Sequence, residues 1–381
     1  MHSLNIRSAF FLYMTVGELI KQIEDWAPPG AAWEKDNVGL LVGSRGDKLK
    51  NILLSLEFDE EVLKEAIKKK CNFVFTHHPL IFSPIKNLDF QKSKQAKLIQ
   101  QIIKNNISLF SAHTNLDFIK DGVSFELAKV LKLKNIKFLE QESGNQFKVV
   151  VFVPSSHLEE VSEALFSAGG GIIGNYQNCS FRINGTGTFK GNEETNPFIG
   201  KKGKTEKVEE VRIEIIVDAW NLSKVINAIK KFHPYEEPAY DIYPLKNKNT
   251  NFGAGAVGEL DKELTEKEFL NFVSTSLKIG RLKYCNGSGK KIKKVAVCGG
   301  SGSELLPNAI NSEADAFITA DIKYHTYHDA VGRILLIDAG HYETEIVVLN
   351  FVKKKIENIL RNNDSIKVYK YSGNTNPVKF Y

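Results

Sequence analysis

The sequence predicts an α/β protein in which two similar α/β halves form one domain, with a ferredoxin-like domain inserted between them. Near both ends of the chain, short apolar runs of strand length alternate with amphipathic helices, an order that indicates parallel βαβ units. The middle of the chain instead follows the order βαββαβ, which is typical of a ferredoxin-like fold. A chain of 381 residues is too long for one compact core, in agreement with more than one domain.

The N-terminal half is predicted to span residues 14–136. An amphipathic helix opens it near 16–23, and the strands and helices that follow are expected at 51–58, 59–70, 72–76, 91–105 and 107–112. The helix at 59–70 begins with acidic residues and ends with lysines, which suits the helix dipole. Residues 1–13 are expected to be a short extension with Met14 near the functional start, because the amphipathic helix begins directly after Met14. A signal peptide is the alternative, although no small-residue cleavage site follows the apolar stretch.

The C-terminal half, residues 249–381, repeats this plan. Strands are predicted at 294–298, 316–319 and 334–338, and helices at 304–311, 324–331 and 344–360. Ile52 to Thr76 and Val295 to Thr319 both span 24 positions, which supports a duplication with a cleft shared between the halves. The Gly/Ser segment 299–303 is predicted as a tight turn, with phosphate binding by its backbone as the alternative.

The inserted domain is predicted to span residues 137–248. Its strands are expected at 147–154, 179–183, 186–190, 208–217 and 239–243, and its helices at 155–168 and 221–232. Asn184-Gly185 predicts a hairpin turn, and Ser155 predicts a helix cap. The polar segment 246–251 is expected to be an exit linker. The run His233-Pro-Tyr-Glu-Glu-Pro predicts a fixed turn, with a further metal site as the alternative.

Composition points to an ordinary globular protein. The net charge of +6 is small beside 51 basic and 45 acidic side chains, so nucleic-acid binding stays possible but is not indicated by charge. No apolar run reaches the ~20 residues of a membrane span. The four cysteines form no CxxC pair, which predicts reduced thiols and a cytoplasmic protein.

Five side chains of metal-ligand type follow short apolar runs in three separated segments. They are His77, His78, Asp117, His341 and Glu345. Because ligands bind at the C-terminal ends of strands in α/β sheets, we expect these side chains to share one cleft. Imidazole and carboxylate groups suit Zn, Fe, Mn or Co, and five groups exceed one tetrahedral site. The pattern therefore predicts two divalent metal ions per chain that share a ligand.

Three further residues are candidates for catalysis. His113 can be a metal ligand, a support for a ligand or a proton carrier. His325 follows the second strand of the C-terminal half together with Asp321 and Tyr324, and it can bind substrate or act as an acid or base. An exposed amphipathic helix is the alternative for His325. Glu343 can be a general base or a surface charge.

Six segments together resemble a known family. They are 26–29, 36–40, 76–79, 112–117, 320–325 and 340–345. The sequence resembles the dinuclear-metal hexamer family of GTP cyclohydrolase 1 type 2 homologues, the NIF-three-like proteins, over residues 14–381. One departure is Ala320, where glycine is common in the family, and this position does not affect the metal ligands.

The resemblance implies a specific partition of the ligands. One metal would be held by His78, Asp117 and Glu345, and the second by His77, His341 and Glu345, with Glu345 bridging. It also implies a toroidal homohexamer, a trimer of dimers, whose metal sites face the inner cavity. The inserted domain is similar to PII and CutA-like trimeric domains and would cap the two openings.

Two functions follow as hypotheses. The first is a metal-dependent hydrolase that acts on a nucleotide-like or other small anionic substrate, with GTP cyclohydrolase activity implied by the family name alone. The second is a non-catalytic hexameric ring that binds metal, nucleic acid or a protein partner in a regulatory or scaffold role. Metal-dependent turnover would favour the first hypothesis, and a salt-sensitive affinity for DNA would favour the second.

Overall fold

The computed structural model describes residues 13–363 and 365–379, so the expected extension at 1–13 lies, apart from Tyr13, outside the described residues. The chain divides into two compact units. We call residues up to Leu139 and from Gly255 onwards the discontinuous unit, and Glu140–Ala254 the middle unit. Among the described residues, no helix is both long and apolar enough to cross a membrane. The predicted boundaries at residues 137 and 248 stay predictions.

The first part of the chain contains the elements that carry two of the three candidate metal-binding segments. In chain order they are α1 (Val16–Trp26), β1 (Gly39–Val42), β2 (Asn51–Ser55), α2 (Glu60–Lys68), β3 (Cys71–Thr76), α3 (Lys94–Lys104), β4 (Ser108–Ser111), α4 (Thr114–Asp117), α5 (Val123–Val130) and β5 (Lys134–Ser143). Side chains define where the longer helices begin: Thr15, Asp59 and Ser93 each accept a backbone N–H from the first turn of α1, α2 and α3. The predicted helices are therefore present: α2 and α3 are shorter than predicted, and α1 extends three residues beyond its predicted end.

The middle unit contains one four-stranded antiparallel sheet and two helices. Its elements are β6 (Gln146–Pro154), α6 (Leu158–Ser167), β7 (Phe181–Lys190), β8 (Thr205–Asp218), α7 (Ala219–Phe232) and β9 (Tyr240–Leu245), with the sheet order β7-β8-β6-β9. Alternate residues of β6 and β8 bury their side chains in one cluster with α6 and α7. Alternation of period two thus places the two helices against one face of this sheet.

The predicted hairpin turn at Asn184-Gly185 is wrong. Both residues lie inside the continuous strand β7, which pairs with β8 from Phe181 opposite Glu214 to Lys190 opposite Thr205. The connection between these strands is the longer segment 191–204. A two-residue turn at Asn184 would have broken this ten-residue ladder, so long-range pairing outweighs the local preference for a turn.

Two smaller predictions for the middle of the chain also fail. Ser155 does not cap a helix with its side chain; it begins a short 3₁₀ turn, Ser155–His157, that precedes α6. The expected linker at 246–251 overlaps the strand β10 (Lys248–Leu264), and Asn249 is fully buried. Asn249 donates to the Asp218 carboxylate over 2.9 Å, which explains why a polar segment is ordered there.

The last part of the chain carries the third candidate metal-binding segment. After β10 come α8 (Glu266–Leu277), β11 (Lys283–Cys285), β12 (Ile292–Ser301), α9 (Leu306–Asn311), β13 (Ala316–Ala320), α10 (Tyr324–Ala330), β14 (Leu335–Asp338), α11 (His341–Glu345), α12 (Val348–Ile359) and β15 (Val368–Lys370). The predicted single helix at 344–360 is instead two helices. They are joined through 3₁₀-type hydrogen bonds from Leu349 to Ile346 and from Asn350 to Val347.

Two sheets organise the discontinuous unit. One has the order β1-β4-β3-β2-β15, in which β2, β3 and β4 are parallel; the other has the order β11-β14-β13-β12-β10-β5, in which β12, β13 and β14 are parallel. In register, Thr76 of β3 lies opposite Ser111 of β4, and Thr319 of β13 lies opposite Asp338 of β14. Residues that follow neighbouring strands therefore emerge at the same sheet edge.

The Gly/Ser segment 299–303 differs from its predicted form. Strand β12 continues to Ser301, and its pairing with β13 shifts between Val297 and Ser301, as at a β-bulge. Gly300 has a φ of +64°, which favours glycine. The backbone N–H of Gly300 donates to Thr344 Oγ1, and that of Gly302 to Thr319 Oγ1, both over 3.0 Å. These donors are already occupied, which argues against a phosphate-binding role.

A buried polar cluster in the middle unit yields a stability prediction. Asp218 Oδ1 accepts hydrogen bonds from Gln146 over 3.0 Å and from Asn249 over 2.9 Å, and all three residues are at most 9% exposed. Asp218→Ala removes an acceptor from two buried amide groups, of which Asn249 keeps one bond, to Asn145 Oδ1 over 3.2 Å, so we expect the free energy of unfolding to fall by about 2–4 kcal/mol. Urea denaturation of the full chain, followed by circular dichroism, measures this change.

The matched variant is Asp218→Asn. It retains an oxygen that accepts both bonds, and it removes a charge that burial disfavours, since burial raises the pKa of the Asp218 carboxyl. We expect its loss to stay near about 1 kcal/mol or less at pH 7. Equal losses in the two variants would show that the hydrogen bonds to Asp218 do not stabilise the fold.

Candidate metal centre

The two adjacent histidines directly follow β3. The backbone N–H of His78 donates to the Leu56 carbonyl over 2.8 Å, and that of His77 donates to the same carbonyl over 3.1 Å. These bonds tie the end of β3 to the segment after β2. His77 is fully buried, while the side chain of His78 is 23% exposed. The pair therefore points from the protein interior towards the surface.

The other three candidate ligands lie on two short helices. Asp117 is the last residue of α4, which begins three residues after β4. His341 and Glu345 are the first and last residues of α11, one helical turn apart and on the same face. Gly340, with a φ of +82°, permits the sharp turn between β14 and α11. Glu345 is 3% exposed.

The structure brings all five predicted ligands together around the Glu345 carboxylate. His341 Nε2 lies 3.1 Å from Oε1 of Glu345, and His78 Nε2 lies 3.1 Å from its Oε2. His77 Nε2 lies 3.6 Å from Glu345 Oε1 and equally 3.6 Å from Asp117 Oδ1. His78 Nε2 and His341 Nε2 are 3.3 Å apart.

Hydrogen bonds at the opposite ring nitrogens fix how these histidines are oriented. His77 Nδ1 donates to the Ala112 carbonyl over 2.9 Å. His78 Nδ1 lies 3.1 Å from Glu57 Oε1, and His341 Nδ1 lies 2.6 Å from Asp321 Oδ2. With a proton held on each Nδ1, the Nε2 atoms present their lone pairs to one another and to carboxylate oxygens. This pattern of outer acceptors is typical of metal-binding histidines.

The Nε2 lone pairs of these histidines face one another and carboxylate oxygens, and such an arrangement is stable only with a cation between them. Metal–ligand bonds of about 2.0–2.2 Å place neighbouring donor atoms of one ion about 3–3.5 Å apart, close to the separations found here. Among the described residues, His77 Nε2 and Asp117 Oδ1 are buried without a hydrogen-bond partner. Buried polar atoms are rarely left unpaired. The donor set thus fits a divalent metal. Two groups of three residues lie close enough together to hold an ion: the first is His77, His78 and His113, and the second is His78, His341 and Glu345.

The electrostatics of the cluster favour positive charge. Burial opposes ionisation of Glu345, but His77, His341 and His78 outweigh it and hold the pKa of that carboxyl well below its usual range. Burial also opposes charging of His78, yet Glu345 and Glu57 raise its pKa to about 10. A hydrogen bond to Glu345 is the main cause that raises the pKa of His341 to about 9. Without metal, the site therefore retains protons at neutral pH.

His113 lies beside the cluster. Its ring centre is 5.3 Å from that of His77 and 5.5 Å from that of His78. Its Nδ1 lies 2.9 Å from the Asp36 carboxylate, which also accepts from the Thr114 backbone N–H over 3.1 Å. These contacts keep the pKa of Asp36 well below its usual range, although burial acts in the opposite direction. His113 is thus oriented towards His77 and His78 in the same manner as the predicted ligands.

The other two catalytic candidates have their recorded contacts with residues outside the cluster. His325 is exposed on α10, and its ring contacts are with Tyr324 and His328. Glu343 is half-buried on α11, where its carboxylate accepts a hydrogen bond from Asn376 over 2.9 Å.

In the middle unit, His233 uses both ring nitrogens: Nε2 donates to the Phe152 carbonyl, and Nδ1 accepts from the Tyr235 backbone N–H. That pattern matches the fixed turn, not a metal ligand.

Three supporting residues escaped the sequence reasoning. Glu57, which holds His78, follows the strand β2 and resembles the predicted ligands in position, so this placement was an available signal. Asp36, which holds His113, opens the segment 36–40 that contributed to the family resemblance, but no feature of the sequence indicated its contact with His113. Gly300 makes room for Glu345, because a Cβ atom there would overlap Glu345 Oε1. Asp321 was noted near His325, but its partner is His341.

Comparisons with known proteins agree over almost the whole chain. Residues 14–377 match the Duf34/NIF3 (NGG1p interacting factor 3) family. A relative from Halalkalibacterium halodurans, named GTP cyclohydrolase 1 type 2 homolog, is 39% identical over 365 residues, which cover 95% of this chain and 98% of the relative. A Bacillus subtilis relative of the same name is 35% identical over 95% of this chain and 98% of its own.

Solved structures give the same picture. The crystal structure of a Bacillus cereus protein related to NIF3 has a TM-score of 0.82 and 38% identity, and it covers 96% of this chain and 99% of its own. That of a Staphylococcus aureus protein has a TM-score of 0.76 and 31% identity, with 97% and 99% coverage. These likenesses support the mixed α/β fold and the predicted family.

Gly300 provides a local test of the metal centre. Gly300→Ala makes a Cβ atom overlap Glu345 Oε1 and places it 3.3 Å from His341 Nε2, so we expect Glu345 to be displaced and metal content to fall by more than half. Elemental analysis after equilibrium dialysis against Mn²⁺ measures this content. Gly289→Ala is the matched control: Gly289 also has a positive φ, +75°, but a Cβ atom added to it would meet nothing within 4 Å. An equal loss in both variants would indicate general backbone strain instead.

The raised histidine pKa values predict that metal binding releases protons. At pH 7.5 the metal-free protein holds protons on His78 and His341, whose pKa values are about 10 and about 9. A metal ligand must be neutral imidazole, so binding displaces these protons, and affinity should rise as the pH increases towards 9. Calorimetric titration with Mn²⁺ in two buffers of different ionisation enthalpy measures the release. Heats that do not depend on the buffer would contradict this account.

Proposed function

The chain belongs to the Duf34/NIF3 family, and we propose that it is a dinuclear divalent-metal-binding protein that acts as a metal-dependent hydrolase on a small anionic substrate. One observation carries the proposal: the Nε2 atoms of His77, His78 and His341 converge on the buried carboxylate of Glu345, and each opposite nitrogen is held by an acceptor. A site built only for stability would not need three imidazole lone pairs directed at one point.

We propose that the five ligands hold two ions. His78, Asp117 and Glu345 would hold one, and His77, His341 and Glu345 the other, with Glu345 shared. His113 is close enough to replace or supplement a ligand of the first ion, since it groups with His77 and His78. When bound, divalent ions would act as Lewis acids and lower the pKa of water from 15.7 towards about 7. Zn, Fe, Mn and Co all suit this donor set.

The chain's own residues would supply binding and proton transfer. His113, with Nδ1 held by Asp36, has its other nitrogen available to carry a proton. We prefer it to His325, which is exposed on α10 and contacts Tyr324 and His328. Glu343 would position the substrate from the wall of the site rather than act as the base, because its carboxylate already accepts from Asn376.

The substrate is proposed by chemistry and by relationship. Relatives carry the name GTP cyclohydrolase 1 type 2 homolog, so guanine nucleotides are the first substrates to test, followed by other small phosphate and carboxylate compounds. The alternative is a ring that binds metal, nucleic acid or protein without turnover. Metal binding without turnover of any tested compound would favour that alternative.

We further propose the finer architecture. The parallel strands β2, β3 and β4 and the parallel strands β12, β13 and β14 are arranged as two similar halves that descend from a duplication. The βαββαβ order and the strand order β7-β8-β6-β9 support a ferredoxin-like insert in the middle unit. A homohexamer built as a trimer of dimers, with the inserts at its openings, and a cytoplasmic location stay predictions.

The shared ligand provides the test of the dinuclear site. Purified without added metal, the protein should contain about two divalent ions per chain, and Glu345→Gln should lower this content sharply because it removes the charge common to both ions. His77→Ala should lower metal content and abolish metal-dependent turnover together. Elemental analysis and product assays are the measurements.

The control is His157→Ala, which removes a histidine of the middle unit whose partner is Ser156. It should retain both metal content and turnover. Metal content and turnover that stay unchanged in His77→Ala would contradict the proposal. No metal in the native protein, even after reconstitution, would remove the hydrolase mechanism.

A further inference from the structure

A cavity adjoins the candidate metal centre on the side of His341. Its volume is about 460 Å³, and its wall includes His341 together with Asp321 and Tyr342. Cavities of about 300–1,000 Å³ are typical of small-molecule sites. The cavity lies within the discontinuous unit, and the side chain of His341 is 37% exposed at its edge. A compound bound here would therefore lie beside the metal ligands.

The carboxylates in this wall already have partners. Glu57 holds His78, Asp321 holds His341, and Glu343 accepts from Asn376 over 2.9 Å. Asp338 accepts from the Gly340 backbone N–H over 3.2 Å and lies 3.5 Å from Lys283. The negative charges of the wall are thus directed at neighbouring protein groups.

Arg281 is different from these groups. It is an exposed residue that lines the same cavity, and no hydrogen bond or ion pair joins its side chain to any residue that the structure describes. Guanidinium groups bind phosphate and carboxylate through two parallel N–H donors, which makes an unpaired arginine beside a metal centre suited to an anion. Lys283 adds a second positive charge, although Asp338 partly balances it.

The rest of the wall is apolar. Ile279, Leu282 and Ala339 form part of it, and Pro377 and Val378 contribute from the C-terminal segment. Ile279 and Ala339 are buried, so this surface is a fixed part of the fold. An inorganic ion would leave such a surface in contact with water, whereas an organic compound would cover it.

We propose that this cavity binds a small organic oxyanion, with Arg281 as the residue that recognises its terminal phosphate or carboxylate group. The apolar body of the compound packs between Leu282 and Val378, and its other end faces His341. This inference rests on the proposed function, because it gives that site its substrate class. It also assigns substrate selection to Arg281, which is not among the metal ligands.

The C-terminal segment completes the cavity and links it to a metal ligand. Thr375 donates a hydrogen bond to the Glu57 carboxylate, the same group that holds His78. Asn376 donates to Glu343, and Pro377 and Val378 follow in the wall. These contacts place the apolar part of the cavity at a fixed distance from the metal centre, so the segment acts as a specificity-determining wall.

Calorimetric titration of the full, Mn²⁺-loaded protein with phenyl phosphate and with inorganic phosphate tests this inference. We expect phenyl phosphate to bind more tightly than inorganic phosphate, because only its ring covers the apolar wall. Arg281→Gln should weaken phenyl phosphate binding by roughly tenfold or more, since a charge-assisted bond is lost. The same titration with benzoate tests whether the cavity also binds a carboxylate in place of a phosphate. Metal content is measured in every sample.

Arg361→Gln is the matched control, because Arg361 is an exposed arginine outside the cavity wall. It should bind phenyl phosphate as the native protein does. Unchanged binding in Arg281→Gln, or equal affinity of the native protein for phenyl phosphate and inorganic phosphate, would overturn the inference. Arginine-dependent binding without turnover of any compound would support the cavity assignment and remove the hydrolase. Turnover of anionic compounds that Arg281→Gln leaves intact would remove the cavity assignment alone.

Discussion

A buried carboxylate surrounded by imidazole nitrogens is the interaction on which the rest of the discontinuous unit depends. Glu345 is 3% exposed, and an ionised carboxylate in such a place costs several kcal/mol unless it has close partners. Its partners come from both sheets of the unit: His77 and His78 follow β3, and His341 follows β14. The ends of these strands must therefore meet for Glu345 to be stable. The main-chain bulge at Gly300 leaves the space that its oxygen atoms occupy.

The acceptors that hold the Nδ1 atoms of the three histidines influence whether the cluster around Glu345 binds protons or metal. If the Nδ1 atoms were free, each histidine could turn and share its proton with Glu345 as an ordinary ion pair. Ala112, Glu57 and Asp321 instead occupy the Nδ1 atoms of the three histidines, which fixes the rings and leaves Nε2 as the inward atom. A protonated cluster then requires fully charged imidazolium at each ring. Divalent ions supply positive charge to neutral imidazole rings, and this favours metal as the resident cation.

The sequence predicted the five ligands because each follows a buried strand, and such strand ends share an edge of the sheet. Glu57 satisfies the same criterion, yet a lone glutamate after a strand is too common to be singled out. Asp36 meets His113, and Gly300 meets Glu345, only once distant parts of the chain have folded together, so local sequence does not reveal these two contacts. The hairpin error at Asn184 has the same origin, since the partner strand β8 begins twenty-one residues later in the chain. Local sequence preference predicted most helices and strands, whereas contacts between distant residues determined the pairing of strands and the partners of the site residues.

Glu57 connects the candidate metal centre with the wall of the neighbouring cavity. One of its oxygens holds His78 Nδ1, and the other accepts from Thr375 of the C-terminal segment. That segment also forms the apolar wall of the neighbouring cavity through Pro377 and Val378. A compound that presses on this wall would shift Thr375 and thus the carboxylate that orients His78. If the centre holds metal as proposed, Glu57 would link occupancy of the cavity to the geometry of His78, since groups that orient a metal-binding histidine tune the affinity of the site.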